Sequence, residues 1–450
     1  CGWFYTANQK DFEKIPGSRI GYWMSLKAIK LFDKDRLSKI FTTREGMATA
    51  NNERFMRLWS EINQNNSKFD CTNYHNGIKW YPYNKGGNFR RWYGNNFFVV
   101  DWDNNGFSIK NNKDSKTGRI KSHNYNGSFS FKPGLTWSAL SSGKFSSRWT
   151  DKGFLFDSTG AKGFFEENGY KILGLLNSYV SQYYLDLLAP TLDYKVGDII
   201  QIPYISINDY KIDELVNINI KVSKSDWDSR ETSWDFKTSP LFDGLLGDLN
   251  MASSQFVKSR IEAKLREGVT LKDAYQEYIK IWTSLFFRLH QNEEELNRQF
   301  IDIYGLQDEL TPDVPLEEIT ILQEETSIEN GELVFHADEV FAQFLSYAVG
   351  CMFGRYSLDK EGLILANQGE TLQDYLAKVG RGEEELTFVP DRDNIIPVLD
   401  DEWFRDDIVE RFHTFLKASF GEDNFRKNLD FVEECLGKDI RKYFTRDFYK

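Results

Sequence analysis

Residues 79–102 read KWYPYNKGGNFRRWYGNNFFVVDW, and two properties of that run decide the fold class. Short aromatic or β-branched pieces, NNFFVVDW the clearest, alternate with Gly and Asn, which is how short strands joined by turns are written. The same texture recurs in GSFSFKP (127–133), KFSSRW (144–149) and GFLFDS (153–158), so a strand-rich region is expected from about 75 to 160. The second property is basic residues interleaved with aromatic ones, which bears on function below.

Outward from this stretch the pattern becomes helical. Before it, YWMSLKAIKLFDK (22–34) has apolar residues at helical spacing, and NERFMRLWSEI (52–62), following TANN, reads as a capped helix. After it, KILGLLNSYVSQYYLDLL (171–188) places Ile172, Leu175, Leu176, Tyr179 and Tyr183 on one stripe, with Pro190 stopping the helix. VGDIIQIPYI (196–205) reads as a strand ended by Pro203, and KSDWDSRETSWDFKTSPLF (224–242) as a linker. Helical periodicity then runs through QFVKSRIEAKLRE (255–267), LKDAYQEYIKIWTSLFFRLHQ (271–291), EELNRQFIDIYGL (294–306), ADEVFAQFLSYAVGCMFGRY (337–356), TLQDYLAKV (371–379) and the end from Asp401. TPDVPLEEITIL (311–322) interrupts it as an extended insert. The expected architecture is a mixed α/β region over 1–240 and a mostly α-helical one over 241–450, with the insert near 311–335. No fixed-period repeat points to a solenoid.

Charge is divided along the chain. The 450 residues carry a net −12, yet residues 1–160 hold 25 Lys+Arg against 13 Asp+Glu and the remainder 31 against 55. An acidic total therefore conceals a basic part at +12 and an acidic part at −24. No run of 18 apolar residues exists and the first residues lack the pattern of a signal peptide, so no membrane association is expected. Four cysteines with no Cys-x-x-Cys pair fit neither a disulfide framework nor a zinc knuckle, and a reducing cytoplasm is the natural location. The chain starts at Cys1 and not Met, which leads us to expect a piece of something longer.

The motifs of catalysis are not found. Five scattered histidines form no His-Glu-x-x-His, there is no Gly-x-Ser-x-Gly and no phosphate-binding Gly-x-x-x-x-Gly-Lys-Ser/Thr, and no convincing Asp…Glu-x-Lys nuclease cluster is found, so no catalytic or metal-ligating residue is assigned. The acidic runs EEEL at 293–296 and 383–386 read better as solvated helix faces than as paired catalytic carboxylates. No Pro-Pro pair occurs, which removes the Asn/Asp-Pro-Pro-aromatic tetrapeptide with which amino-methyltransferases hold a flipped base. Gly380-Arg381-Gly382 follows a helix with no strand before it and reads as a helix C-cap, not a cofactor turn.

The positive feature is residues 75–150, where 12 Lys+Arg face three Asp, a local +9. That composition suits phosphate binding. Lys85, Arg90 and Arg91 interleave with aromatics around Gly86-Gly87 and are candidates for phosphate or base-edge contact. The loop KNNKDSKTGRIKSHN (110–124) offers Lys116, Arg119 and Lys121 for entry into a groove, and Lys144 and Arg148, four apart on an expected strand, share a face. The competing reading, an aromatic core with an ordinary solvated basic face, is not excluded by composition.

A resemblance goes further. REGMATANNERFMRLW (44–59), KWYPYNKGGNFRRWYGNN (79–96), SFKPGLTWSALSSGKFSSRW (130–149), GFLFDSTGAKGFF (153–165), the run 172–204 and SYAVGCMFGRYSLD (346–359), in that order, resemble the part downstream of the catalytic domain in large adenine-specific DNA methyltransferases. The best match is the PglX type of the bacteriophage-exclusion (BREX) defence systems, with type IIG restriction-modification enzymes as relatives. The resemblance implies a target-recognition domain that reads double-stranded DNA, followed by a helical region. It also implies that the whole enzyme uses S-adenosylmethionine to methylate a flipped adenine, with no cofactor bound by this part and no methyl transfer from it alone. The element 172–203 would then be scaffold, as would the stripe Val340, Phe341, Phe344, Leu345, Ala348, Val349, Met352 and Phe353. A protein-docking module for other defence components or a phage inhibitor is the alternative role.

Overall fold

The computed structural model describes residues 6–141, 143–191, 193–243 and 268–449. It resolves into two compact units, one of Cys1–Ser225 with Arg288–Thr320, the other of Asp226–Phe287 with Ile321–Lys450. The single cut expected near residue 240 falls close to the first crossing. The return of 288–320 to the first unit has no counterpart in a linear reading.

Among the described residues the first unit holds eight short strands, β1 (Thr42–Arg44), β2 (Met56–Leu58), β3 (Trp80–Asn84), β4 (Phe98–Asp101), β5 (Gly134–Trp137), β6 (Ser147–Thr150), β7 (Leu155–Phe156) and β8 (Lys162–Phe164). They make two four-stranded sheets ordered β1-β8-β5-β6 and β2-β4-β3-β7, antiparallel except for β3 against β7. Beneath the second sheet Tyr81, Tyr83, Val100, Trp102, Ile109, Phe131 and Leu155 form one buried cluster, the aromatic and β-branched residues that favour strands. In the first sheet Gly163 admits the ring of Phe41, which a Cβ there would meet at 1.9 Å. The strand pieces NNFFVVDW, KFSSRW and GFLFDS therefore contain strands as expected. GSFSFKP instead forms a 3-10 turn, Gly127–Phe129, and Phe131 takes a positive φ of 67°.

Four further expectations change. NERFMRLWSEI gives helix only over Asn52–Phe55 and then joins the sheet as β2, because Met56–Leu58 pairs with Val100–Phe98. The stripe of 171–188 breaks into helices Gly169–Leu176 and Tyr179–Leu188. At the break the Asn177 amide bonds both backbone groups of Ser147, accepting from its N–H at 2.8 Å and donating to its carbonyl at 3.0 Å. That tertiary bond competes with helix continuation. VGDIIQIPYI is a helical turn, Val196–Ile199, whose following carbonyls of Ile200 and Ile202 accept from Ser38 and Leu37. The supposed linker begins inside a helix, Tyr210–Asp228, and Asp226, Trp227, Arg230 and Phe236 are buried.

The second unit is mostly helical, with Ala337–Met352, Leu372–Val379, Ile408–Phe420, Phe425–Leu436 and Ile440–Arg446. The helix Leu271–Tyr304 supplies residues to both units. Phe344, Phe412, Phe415 and Tyr347 meet edge-on or tilted in its core, which bears out the stripe 340–352 as packing, and Phe353 is partly exposed at its end. The extended piece is the hairpin β9 (Thr326–Glu329) and β10 (Glu332–Phe335), turned by Asn330-Gly331, both at positive φ. The segment 311–322 itself holds only a 3-10 turn, Leu316–Glu318. One Arg230 guanidinium nitrogen donates to both Glu325 oxygens at 2.6 and 2.7 Å and reaches Asp226 at 3.1 Å, an ion cluster internal to this unit. The helix expected over 255–267 lies outside the described residues. Gly380, at φ 80°, caps Leu372–Val379 as read from sequence. Among the described residues no helix is long and apolar enough to cross a membrane and no group of side chains could hold a metal ion.

Lys162 on β8 is fully buried, and its ammonium has no hydrogen-bond partner among the described residues. It faces the rings of Phe154 and Phe164 at 5.8 and 5.9 Å. Burial pushes it down to about 7. The unfolded chain then binds the extra proton between about pH 7 and the ordinary lysine range, so stability should rise with pH across that window. Lys162→Met should raise the melting temperature at pH 7 and flatten the rise. A lower melting temperature, or an unchanged slope, in thermal melts from pH 6 to 10 would contradict this.

Candidate nucleic-acid interface

The candidate cations of the first unit separate into an interior group and an exterior one. Arg90, Arg91 and Arg148 are 7, 3 and 1% exposed. Arg91 donates to Glu293 at 2.6 Å and Glu318 at 3.0 Å, and the Trp92 indole N–H takes the other Glu293 oxygen at 2.6 Å. Burial opposes the Arg91 charge, but the two carboxylates outweigh it and hold the guanidinium above its usual range. Arg90 spends its donors on the carbonyls of Tyr93 (2.7 Å), Thr320 (3.1 Å) and Ser223 (3.2 Å). Arg148 donates to the carbonyl of Arg90, and burial together with the Arg90 charge pushes it down to about 10. A guanidinium buried and bonded in this way has no face left for a phosphate. The structure thus moves Arg90, Arg91 and Arg148 from the expected contact set to the scaffold.

Glu293 also corrects the reading of 293–296 as a solvated helix face. It is buried against Arg91 and Trp92, whereas the run at 383–386 is largely exposed. Lys144 lies outside β6, so it does not share a strand face with Arg148; it pairs with Glu318 and sits 4.6 Å from the Tyr179 ring. Lys85 pairs at 2.8 Å with buried Asp157, which also accepts from Tyr83 at 2.5 Å and from the Thr159 hydroxyl and N–H.

Lys116, Arg119 and Lys121 come together on an exposed antiparallel hairpin. Lys113 bridges Ile120, Lys121 N–H donates to the Asn112 carbonyl at 2.8 Å, and Asp114 N–H to the Arg119 carbonyl at 2.8 Å. At the base, the Asn112 amide donates to the Thr49 carbonyl at 3.1 Å, and Ala48 and His123 exchange both backbone bonds. Sequence reasoning named this loop but missed its apolar members: Ile120 is 53% exposed and Phe107, on the preceding helix Asp103–Lys110, 58%. Nearby, His123 stacks on Tyr125 at 5.2 Å, and Arg44 and Lys132 lie 4.9 and 5.1 Å from the Phe129 ring. Exposed cations and the exposed side chains of Phe107, Ile120 and Tyr125 thus alternate along residues 107–125.

By sequence, the chain is related to the PglX-type adenine-specific methyltransferases. It is 39% identical to the adenine-specific methyltransferase PglX of Lacticaseibacillus casei (strain Zhang) over 461 aligned residues, 99% of this chain and 35% of that protein. To the adenine-specific methyltransferase BrxX of Escherichia coli O9:H4 (strain HS) it is 32% identical over 99% of its length and 36% of the relative's. The chain thus spans about a third of the length of these relatives. No family model matches it.

Removing one partner of the buried Arg91 pair strands a charge, which costs about 3–5 kcal/mol. Arg91→Ala and Glu293→Ala should each show that loss in chemical denaturation. Arg91→Met with Glu293→Leu should cost less than either alone. Single variants as stable as the parent would place the pair in solvent.

Proposed function

We propose that this chain is the DNA-recognising part of a BREX-type adenine-specific DNA methyltransferase, serving phage defence by marking self DNA in the cytoplasm. The observation that carries the reading is the exposed hairpin 112–121, in which Lys113, Lys116, Arg119 and Lys121 stand clear of the interior while Arg90, Arg91 and Arg148 are buried among internal partners. A two-stranded ribbon has the dimensions of the DNA major groove. Methylating the exocyclic amine of adenine requires the base to leave the stack, and a duplex held by a separate reader is the geometry that step needs.

The methyl donor of such an enzyme is S-adenosylmethionine, and the Gly-x-Gly singled out in the sequence does not fit it. The Gly-x-Gly of 380–382 lies at the C-terminal end of Leu372–Val379, where the helix presents carbonyls and its negative dipole end, the wrong polarity for a carboxylate. No chemical step is assigned to this chain.

Each phosphate contact contributes about −0.9 to the slope of log affinity against log salt. Replacing Lys116, Arg119 and Lys121 together by Ala should weaken binding of a mixed-sequence 30-base-pair duplex and reduce the magnitude of that slope by about 2.7. The melting temperature should stay put because all three side chains are exposed. Binding with unchanged affinity and slope in fluorescence anisotropy from 50 to 300 mM salt would overturn the proposal.

A further inference from the structure

One acidic side chain sits in the middle of the basic hairpin. Asp114 Oδ1 accepts from the N–H of Lys116 at 3.0 Å, the N–H of Thr117 at 2.8 Å and the Thr117 hydroxyl at 3.1 Å. Its Oδ2 lies 3.1 Å from the Lys121 ammonium. The Asp114 backbone closes the same turn, its N–H donating to the Arg119 carbonyl and its carbonyl accepting from Gly118, which takes the left-handed φ of 69°. Every residue of the tip from 116 to 121 except Ile120 is therefore bonded directly to Asp114.

We propose that Asp114 is a positioning residue for DNA recognition: it folds the hairpin tip in advance and sets Lys116, Arg119 and Lys121 in the arrangement that meets the duplex. The inference rests on the hairpin being the DNA-contacting element. Its physical content is a conflict of signs. A carboxylate among cations that meet phosphates repels DNA, so by charge alone its removal tightens binding. By pre-organisation its removal loosens binding, because the loop must then be ordered at the moment of contact. The hydrogen bonds from Thr117 and the pairing with Lys121 hold the Asp114 carboxyl at about 2, so it is charged and bonded throughout the physiological range.

The experiment compares Asp114→Ala, Asp114→Asn and the triple Lys116, Arg119, Lys121 alanine variant of the whole chain against the same mixed-sequence 30-base-pair duplex, with brief trypsin digestion of each free protein. Asp114→Ala should bind about tenfold more weakly and be cut faster after Lys116 and Arg119. Asp114→Asn, whose side-chain oxygen still accepts from the 116 and 117 N–H groups, should bind within about twofold of the parent. Tighter or equal binding by Asp114→Ala, with the triple variant still impaired, would overturn the positioning role and leave the interface standing. Loss of effect in the triple variant as well would overturn the interface itself.

Discussion

The Arg91 guanidinium, closed off from solvent between Glu293 and Glu318, is the contact on which the first unit depends. A charge in that position is tolerable only with its carboxylates in place, since a lone buried ion costs several kcal/mol. The pairing joins residues about two hundred positions apart in sequence, and it is accompanied by Trp92 on Glu293, Arg90 on the Thr320 carbonyl and the Arg91 N–H on the Thr320 hydroxyl. These bonds explain why 288–320 belongs with the strands and not with the helices that surround it in sequence. They also explain why so basic a segment as NFRRWY is interior: its positive charge is answered from within the chain.

That allocation separates two jobs that composition merges. The cations at 85, 90, 91, 144 and 148 find carboxylates or carbonyls inside the unit and hold strands, helix and return segment together. The cations of 112–121 sit on a ribbon attached at its base by Asn112 and His123 and ordered at its tip by Asp114. A scaffold built on long-range ion pairs can keep its shape while a short surface ribbon varies.

Much of this was legible in the residues, for identifiable reasons. Local signals carried through: β-branched and aromatic runs gave β4, β6 and β7, the stripe 340–352 gave a buried helix face, and Gly380 gave its cap. Failures came where a distant partner outvoted local pattern. Met56–Leu58 looks helical until β4 is beside it, Asn177 looks mid-helical until Ser147 is, and Glu293 looks solvated until Arg91 is. Two misses had local signals after all. Asn330-Gly331 between alternating residues announces a hairpin, and Asp114 followed by Ser-Lys-Thr-Gly announces a side-chain-capped turn. For the site, the loop was readable from its charge, whereas the burial of three arginines was not, because nothing in a basic-aromatic run says whether its counter-ions are phosphates or glutamates.

The central claim is that the hairpin meets DNA while the Arg90-Arg91 segment holds the fold. Amide hydrogen exchange of the chain with and without a 30-base-pair duplex addresses both halves at once. The account predicts that DNA slows exchange in 112–121 and leaves 88–93, already protected in the free protein, unchanged. Protection gained in 88–93 and 144–148 with none in 112–121 would contradict it.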